Sequence, residues 1–305
     1  MKNKQINWWN IKFDKQDFLS FKKSFFNKNI SQGPIVNKLE IQLGKFLKVK
    51  HVIMMPSCST ALLASLMSLG ISNNDEVIIP NRTWIATAHA ATLLGANVRL
   101  VDVLINEPTI DASLIEKHIN SKTKVIMPVH MNGRSCDMLK IKKLARKYKL
   151  KVIEDAGQAF GSKNKYGYLG TQSDIGCFSL SIGKVISTGQ GGFISTNNSS
   201  LYNKIKKIKN HGVESVLLPK WELSGMNFKF TDLLASIGLS QLSKFNRHKR
   251  KILQIYLAYE KGLKGLKHIK LIKNQKLELP IYIEVLCPKR KHLYNYLKSN
   301  SVETR

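Results

Sequence analysis

The stretch HVIMMPSCSTALLASLMSLG (51–70) decides the fold class, because a short apolar run is followed at once by a helical pattern. Similar apolar runs recur at EVIIP (76–80), NVRLVDV (97–103), TKVIMPV (123–129), LKVIED (150–155), DIGCFSL and GGFIST. Helical patterns fall between them at 84–95, 111–120 and 137–149. Unbroken β-branched runs that alternate with helices are typical of parallel strands buried on both faces. The sequence therefore predicts an α/β fold with a doubly wound, mostly parallel sheet.

The C-terminal part of the chain has a different organisation. Residues 231–263 indicate one long helix or a bent pair, followed by the run KHIKLIKN, the predicted strand PIYIEVL and a last helix, KRKHLYNYLKSN. We therefore predict a large domain over residues 1–245, which includes an N-terminal arm, and a partial small domain over residues 246–305.

The charge of the chain is unusual for a globular protein. The 305 residues contain 49 Lys and Arg against 20 Asp and Glu, which gives a net charge of +29. Such an excess suits an anionic partner such as nucleic acid, a membrane surface or a phosphorylated small molecule. The abundance of Lys with Asn and Ile gives genome composition as an equally good explanation. The charge alone therefore does not select a partner.

Cysteine usage and the N-terminus suggest a cellular compartment. The four cysteines, Cys58, Cys136, Cys177 and Cys287, contain no C-x-x-C pair and no His at metal-ligand spacing, so we expect reduced thiols and no metal site. Charges interrupt the N-terminal sequence MKNKQINWWNIKFDK, which does not resemble a signal peptide. The uncharged stretch 84–98 is too short to span a bilayer. We expect a soluble, cytoplasmic protein.

Three segments at strand ends contain residues suited to chemistry. PSCSTA (56–61) lies between a strand and a helix, where it could bind phosphate or only cap the helix. Asp155 ends the apolar strand VIED and could face a ligand or cap a helix. Lys184, in FSLSIGK before the Gly-rich VISTGQGGF, could be a desolvated nucleophile or an ordinary solvated lysine. Taken singly, these segments leave both interpretations open.

Taken in order, the segments resemble fold-type I pyridoxal-phosphate enzymes, and more closely the DegT/StrS family of sugar-nucleotide aminotransferases. The resemblance runs from about Ser31 to the end of the chain. It includes SQGPIVNKLE, DEVIIPNRTWIATAHA, TKVIMPVHMNG, VIEDAGQAFG, CFSLSIGK, TGQGG, KNHG and GMNFKFTDLLASIGLSQL. It implies an aspartate-aminotransferase-like fold, with a mostly parallel seven-stranded sheet in the large domain and an incomplete α+β small domain.

The resemblance implies two catalytic residues. Lys184 matches the lysine that binds pyridoxal 5′-phosphate covalently and later moves a proton between the substrate carbon and the cofactor. Asp155 matches the acid beside the pyridine nitrogen, which keeps that nitrogen protonated so that the ring can accept electrons.

Further residues match cofactor contacts of the family. Gln158 matches the position that hydrogen-bonds the ring hydroxyl, and Trp84 matches an aromatic residue stacked on the ring. The phosphate contacts match Thr60, Ala61 and Ser179. Asn227 matches an Asn that reaches the phosphate from the other subunit, so the resemblance implies a homodimer with shared active sites. His211 in KNHG matches a residue near the site, without a defined role.

The chain departs from the family pattern at three points. Ser59 stands where Gly is usual, and Gln190 stands where many members have Glu. Family chains also continue past a segment like Glu303–Arg305 into a return strand and helix, so we expect a C-terminal truncation.

The implied function is transamination of a nucleotide-linked keto-deoxysugar with glutamate as amino donor, for surface polysaccharide or amino-sugar biosynthesis. Three alternatives remain. A sugar 3-dehydratase relative would carry His in place of Lys184. A non-catalytic paralogue that binds pyridoxal phosphate or nucleotide sugars would not need Lys184, Asp155 and Gln158 together. A nucleic-acid-binding protein would rest on charge alone, without a recognition motif. We therefore expect neither nucleic acid nor a membrane as a partner.

Overall fold

The apolar runs of the sequence form the strands of a central sheet. The computed structural model describes residues 5–9, 13–217 and 220–304; parts of the predicted N-terminal arm (1–4 and 10–12) and Arg305 lie outside these described residues. The strands of the sheet are β1 (His51–Met55), β2 (Glu76–Pro80), β3 (Asn97–Val101), β4 (Thr123–Ile126), β5 (Lys151–Asp155), β8 (Ile175–Ser179) and β9 (Gly192–Thr196). Short strands form two hairpin-like pairs, β6 (Lys163–Asn164) with β7 (Gly167–Tyr168) and β10 (Lys270–Leu271) with β11 (Val285–Leu286).

The strand order confirms the predicted sheet. Among the described residues, seven strands are arranged as β1-β9-β8-β5-β4-β2-β3. The strand β9 is antiparallel to β1 and β8, and the remaining neighbours are parallel. Parallel neighbours need crossover connections, and their carboxyl ends therefore lie along one edge of the sheet.

Helices cover both faces of this sheet. They are α1 (Lys15–Phe26), α2 (Pro34–Leu47), α3 (Cys58–Ser68), α4 (Ala86–Thr92), α5 (Met138–Lys147), α6 (Ser199–Lys209), α7 (Asp232–Ser243), α8 (Phe245–Gly262) and α9 (Arg290–Ser299). The predicted bent pair is thus α7 followed by α8. None of these helices, within the described part of the chain, is long and apolar enough to cross a membrane.

The alternation of side chains along β1 shows how the core is divided. Val52 and Met54 pack into one apolar cluster with Leu39 and Leu43 of α2 and with the stacked rings of Phe178 and Phe193. Ile53 and Met55 face the opposite cluster, which includes Leu62 and Leu66 of α3. Because successive side chains of a strand point to opposite faces, a continuous apolar run fills both clusters.

Two predicted elements differ in the structure. Residues 111–120 contain only a short 3₁₀ turn, Glu116–His118, because the Asp111 side chain accepts hydrogen bonds from the Ser113 backbone and hydroxyl and holds a local turn instead. The segment PIYIEVL forms only the two-residue strand β11. Part of it is instead held by side chains: Glu284 forms ion pairs with Arg82 at 2.6 Å and with the buried Arg134 at 2.5 Å.

The predicted division into domains at residues 245 and 246 remains a prediction. The boundary falls at Phe245, the first residue of α8, and Phe245 is buried against Phe160 and Phe46 of the large cluster. Arg134 also donates to the carbonyl oxygens of Ile272 and Lys273. The C-terminal segment is therefore in close contact with the rest of the chain.

Candidate active site

The candidate site lies at the carboxyl edge of the sheet, where β5 and β8 end side by side. Asp155, the last residue of β5, is paired in register with Cys177 of β8, and Ser179 at the end of β8 is paired with Gly192. Lys184 lies on the loop between β8 and β9, so the topology brings it to the same edge. In open α/β sheets this edge is the usual location of ligand sites.

Asp155 is almost fully buried, with 7% of its surface exposed. Its Oδ2 accepts a hydrogen bond from the Thr87 hydroxyl at 2.8 Å, and its Oδ1 accepts one from the Gly157 N–H at 3.0 Å. The Cys58 thiol lies 4.0 Å from Oδ1. Burial raises the pKa of Asp155, while Gly157, Thr87 and the nearby Lys184 act in the opposite direction. The carboxylate is therefore held in one orientation by donors on both oxygens.

Burial lowers the pKa of Lys184, while Cys58 and Asp155 act in the opposite direction. A lysine amine with a lowered pKa loses its proton more readily and is a better nucleophile. The amine nitrogen lies 5.7 Å from the centre of the Tyr282 ring, and the Tyr282 hydroxyl donates to the Gly183 carbonyl at 3.3 Å. Tyr282 thus contacts the loop that carries Lys184.

Gly157 and Gly192 allow the backbone to approach the cluster closely. A Cβ atom on Gly157 would lie 3.1 Å from Asp155 Oδ1 and 3.2 Å from Cys58 Sγ. A Cβ atom on Gly192 would lie 2.5 Å from the Cys58 backbone nitrogen, which is too close for any side chain. These glycines let the start of α3 lie directly against β9.

The start of α3 is capped by its own residues. The Thr60 N–H donates to the Ser57 hydroxyl oxygen at 3.1 Å, and the Ser57 N–H donates to Thr60 Oγ1 at 3.1 Å, which is a capping box. The Ala61 N–H donates to the Ser57 carbonyl. Within the described part of the chain, the N–H groups of Cys58 and Ser59 have no recorded acceptor. They are therefore better placed to bind an anion than the N–H groups of Thr60 and Ala61.

Gln158, Ser179 and Trp84 surround the cluster in different ways. The Gln158 side-chain oxygen accepts a hydrogen bond from the Asn132 N–H at 3.1 Å, so its amide NH₂ group is left to donate. Ser179 is buried, and its hydroxyl lies 2.9 Å from the Ser181 hydroxyl. Trp84 lies just before α4 and is 62% exposed.

Asn227 and His211 lie on a separate, exposed pair of segments. Asn227 forms a backbone bridge with Asn210, and its side-chain oxygen accepts from the Lys229 N–H at 3.3 Å. The His211 N–H donates to the Met226 carbonyl, and His211 has a left-handed backbone with φ of 60°. Neither residue is recorded among the described contacts of Asp155 or Lys184. Their assignments remain predictions.

Sequence reasoning missed Thr87, Cys58 and Tyr282. Thr87 and Cys58 contact Asp155 across 68 and 97 residues of sequence, respectively. A threonine among small residues in TWIATAHA and a cysteine in a capping segment carry no signal that would distinguish them from structural residues. Tyr282 lies in PIYIEVL, where its aromatic character matches the strand that the sequence predicts.

Glu154 precedes Asp155 and faces the opposite side of β5. Its carboxylate accepts hydrogen bonds from the N–H groups of Gly170 at 2.8 Å and Gln172 at 2.7 Å, and from the Ser173 hydroxyl at 2.9 Å. His130 Nε2 lies 2.9 Å from the same carboxylate, while its Nδ1 accepts from the Cys136 N–H. Because Nδ1 accepts, Nε2 carries the hydrogen that is donated to Glu154. This satisfied, fully buried network supports the strand beneath the site.

Comparisons with known proteins identify the family and the fold of the chain. The family model that describes the DegT/DnrJ/EryC1/StrS aminotransferase family matches residues 12–305. The chain is similar to GDP-perosamine synthase of Escherichia coli O157:H7, with 36% identity over 284 residues, which cover 90% of this chain and 76% of that protein. It is also similar to GDP-perosamine synthase of Caulobacter vibrioides, with 37% identity over 221 residues, which cover 72% of this chain and 59% of that protein. The second match thus spans less than two thirds of the relative.

The structure is also similar to a solved enzyme. PseC of Helicobacter pylori, an aminotransferase involved in the biosynthesis of pseudoaminic acid, superposes with a TM-score of 0.92 and 25% identity. The superposition covers 98% of this chain and 83% of that chain. This similarity confirms the fold that the sequence resemblance implies.

Proposed function

Because the chain belongs to the DegT/DnrJ/EryC1/StrS aminotransferase family, we propose that it transfers an amino group from glutamate to a keto carbon of a nucleotide-linked deoxysugar. The observation that carries the proposal is the buried pair at the carboxyl edge of the sheet, where the lysine with a lowered pKa lies near the buried Asp155 carboxylate. A lysine amine and a neighbouring buried carboxylate whose pKa values are both shifted by their surroundings are typical of a catalytic site.

The residues of the site fit pyridoxal 5′-phosphate, the cofactor of this family. Asp155 supplies a buried carboxylate for the ring nitrogen, and Lys184 supplies an amine for covalent attachment. The N–H groups of Cys58 and Ser59 supply donors for the phosphate at the start of α3, together with the predicted contacts of Thr60, Ala61 and Ser179. The close approach at Gly157 and Gly192 lets the start of α3 lie beside Asp155 and β9, so these donors and the carboxylate share one edge of the sheet. When bound, the cofactor accepts the electrons left when the substrate carbon loses its proton.

Each residue of the site has a separate proposed role in the reaction. Lys184 would hold the cofactor through its amine and would be the group that moves a proton to and from the substrate carbon. Asp155 would keep a proton on the ring nitrogen by its negative charge, and Thr87 and Gly157 hold its carboxylate in place. Gln158 would donate to the ring hydroxyl with the NH₂ group that its contact with Asn132 leaves unused. Trp84 would supply an aromatic face for the ring, as the family resemblance implies.

The substrate class is supported by the relatives. Two of them are GDP-perosamine synthases, and the solved PseC is involved in the biosynthesis of pseudoaminic acid. A substrate of this class carries a diphosphate, and the net charge of +29 favours the approach of such an anion. The products would be amino sugars for surface polysaccharides.

The first test is the visible absorption spectrum of the purified protein. We expect a yellow protein, or one that becomes yellow with added pyridoxal phosphate, and a shift to shorter wavelength when glutamate transfers its amino group. Keto-sugar nucleotides should then restore the original spectrum, and GDP-linked sugars should be screened first because of the two relatives. A protein that stays colourless with added cofactor would contradict the proposal and favour a non-catalytic paralogue.

We infer further that the enzyme is a homodimer with shared active sites. Large apolar side chains are exposed near Lys184, before α4 and on the segment of Asn227, namely those of Trp84, Ile85, Ile182, Trp221 and Met226. Asn227 follows Met226 on the same exposed segment and is available to a second copy. Large exposed apolar side chains such as these favour burial in an interface with a second copy of the chain.

Complementation between two defective variants tests the shared site. Lys184→Ala lacks the reactive amine, and Asn227→Ala lacks the predicted phosphate contact from the neighbouring subunit. In co-expressed mixed dimers, one of the two sites would receive both native residues, so we expect activity of about a quarter of the wild-type level. Activity is measured at a limiting concentration of pyridoxal phosphate, because the activity of Asn227→Ala alone should be lowest there. A mixture no more active than the sum of its parts would contradict the shared site.

A further inference from the structure

Two threonines form a hydrogen-bonded chain that ends on Asp155. Thr87 is fully buried, and its hydroxyl lies 2.8 Å from Asp155 Oδ2. The hydroxyl of Thr83 lies 2.7 Å from that of Thr87. An ionised carboxylate can only accept, so the Thr87 hydroxyl must donate to Asp155, and Thr83 then donates to Thr87. The direction of the chain is thus fixed by the charge at its end.

We propose that Thr87 is a positioning residue that keeps the Asp155 carboxylate ionised and in one orientation, and that Thr83 fixes the direction of the Thr87 hydroxyl. The proposal rests on the proposed function only in assigning the oriented carboxylate to the cofactor ring. The orientation itself depends on contacts within this chain.

The contact of Thr87 is unusual for a threonine in a helix. A threonine inside a helix commonly bonds the carbonyl of the residue four positions earlier, which for Thr87 is Thr83. Thr87 of α4 instead donates to a side chain 68 residues away in sequence. The helix therefore directs this hydroxyl to the sheet edge.

Several charged or titratable groups surround Asp155. Cys58 approaches from the start of α3, Lys184 from the loop before β9, His130 from the segment after β4, and Cys177 from β8. The charge of Lys184 lowers the pKa of Asp155, whereas burial raises it. None of these groups donates to Oδ2 in the described contacts, so Thr87 is the recorded donor to that oxygen. Loss of its hydroxyl would leave Oδ2 buried without a donor, which would raise the pKa of Asp155 further.

The test uses the apoprotein, so it does not depend on catalysis. Thr87→Val keeps the shape of the side chain and removes the hydroxyl. A carboxyl group whose pKa is higher in the folded than in the unfolded state stabilises the fold at low pH and less so as the pH rises through the folded value. We therefore expect the melting temperature of Thr87→Val to fall further below wild type at pH 8 than at pH 5, by roughly 3 °C.

Matched variants distinguish the loss of the Thr87 hydrogen bond from a change in side-chain packing. Thr87→Ser keeps a hydroxyl, so the deficit in its melting temperature relative to wild type should be the same at pH 5 and pH 8. In an Asp155→Asn background, Thr87→Val should cause the same deficit at both pH values, because the titrating group is gone. A deficit that is equal at pH 5 and pH 8 with Asp155 present would overturn the proposal and leave Thr87 a packing residue. If Thr87→Val does not fold, Thr83→Val provides the same comparison with a smaller expected effect.

Cofactor binding provides a second readout. We expect the dissociation constant of pyridoxal phosphate to increase about tenfold in Thr87→Val and to return toward wild type in Thr87→Ser. An equal increase of this dissociation constant in Thr87→Val and Thr87→Ser would contradict a role of the hydroxyl. If the pH-dependent deficit appears but no sugar nucleotide is aminated, the proposed function fails while the positioning of Asp155 stands.

Discussion

Lys184→Ala is expected to abolish the visible absorption of bound cofactor and the transfer of amino groups together. The variant lacks the amine that we propose attaches the cofactor and moves the proton, and that amine lowers the pKa of Asp155. We expect a loss of at least about 10³-fold in kcat, since residues that act as one catalytic unit fail together. The measurements are the absorption spectrum with added pyridoxal phosphate and the rate of the glutamate half-reaction.

Lys209 provides a matched control for this variant. Lys209 is also buried, with 5% of its surface exposed, and burial lowers its pKa as it does that of Lys184. Its amine lies 3.5 Å from Glu40, which also accepts a hydrogen bond from the Met54 N–H. Lys209→Ala should therefore lose stability, because Glu40 loses its ion-pair partner, but should keep the yellow colour. A Lys184→Ala protein that still transaminates would show that the reactive lysine is assigned wrongly.

Most of the strands were predictable because they bury both faces, although the edge strand β3 is largely exposed. Runs such as VIED and EVIIP are continuous and apolar, and this pattern survives in the structure as β5 and β2. The segment PIYIEVL has the same composition but forms little regular structure. Its Glu284 is held by Arg82 and Arg134 from distant parts of the chain. Such long-range ion pairs leave no periodic signal in a sequence.

The site was predictable only where a motif marks it. Lys184 and Asp155 lie in ordered segments that resemble a family, and the topology brings them to one edge of the sheet. The contacts that support them, from Thr87 and Cys58, depend on the packing of α4 and α3 against β5. The capping box at Ser57 and Thr60 shows a further difficulty. Small hydroxyl residues at the start of a helix can bind phosphate or cap the helix. Only the structure shows which N–H groups already donate hydrogen bonds within the cap.

Replacing each of the two adjacent carboxylates on β5 by its amide should have different effects: Asp155→Asn should lose catalysis, and Glu154→Gln should lose stability. Asp155→Asn should fold and bind the cofactor, but we expect kcat to fall by about 10³-fold, because the neutral amide no longer holds a proton on the ring nitrogen. Burial raises the pKa of Asp155, so the ionised form, and with it activity, is lost as the pH falls through that value. This acid limb of the pH profile should disappear in Asp155→Asn.

Glu154→Gln is the matched control, because it removes the neighbouring charge on the other face of the strand. Glu154 is fully buried and accepts from two backbone N–H groups, a hydroxyl and His130, and these contacts hold its pKa below the ordinary value although burial acts to raise it. An amide would turn its NH₂ group toward some of these donors. We expect a loss of about 3 kcal/mol in the free energy of unfolding. In the fraction that folds, kcat should stay within about threefold of wild type, since Glu154 does not face the cluster around Lys184. If the two variants lose catalysis to the same extent, the charge that serves the ring cannot be assigned to Asp155, because a distortion of β5 would then explain both results.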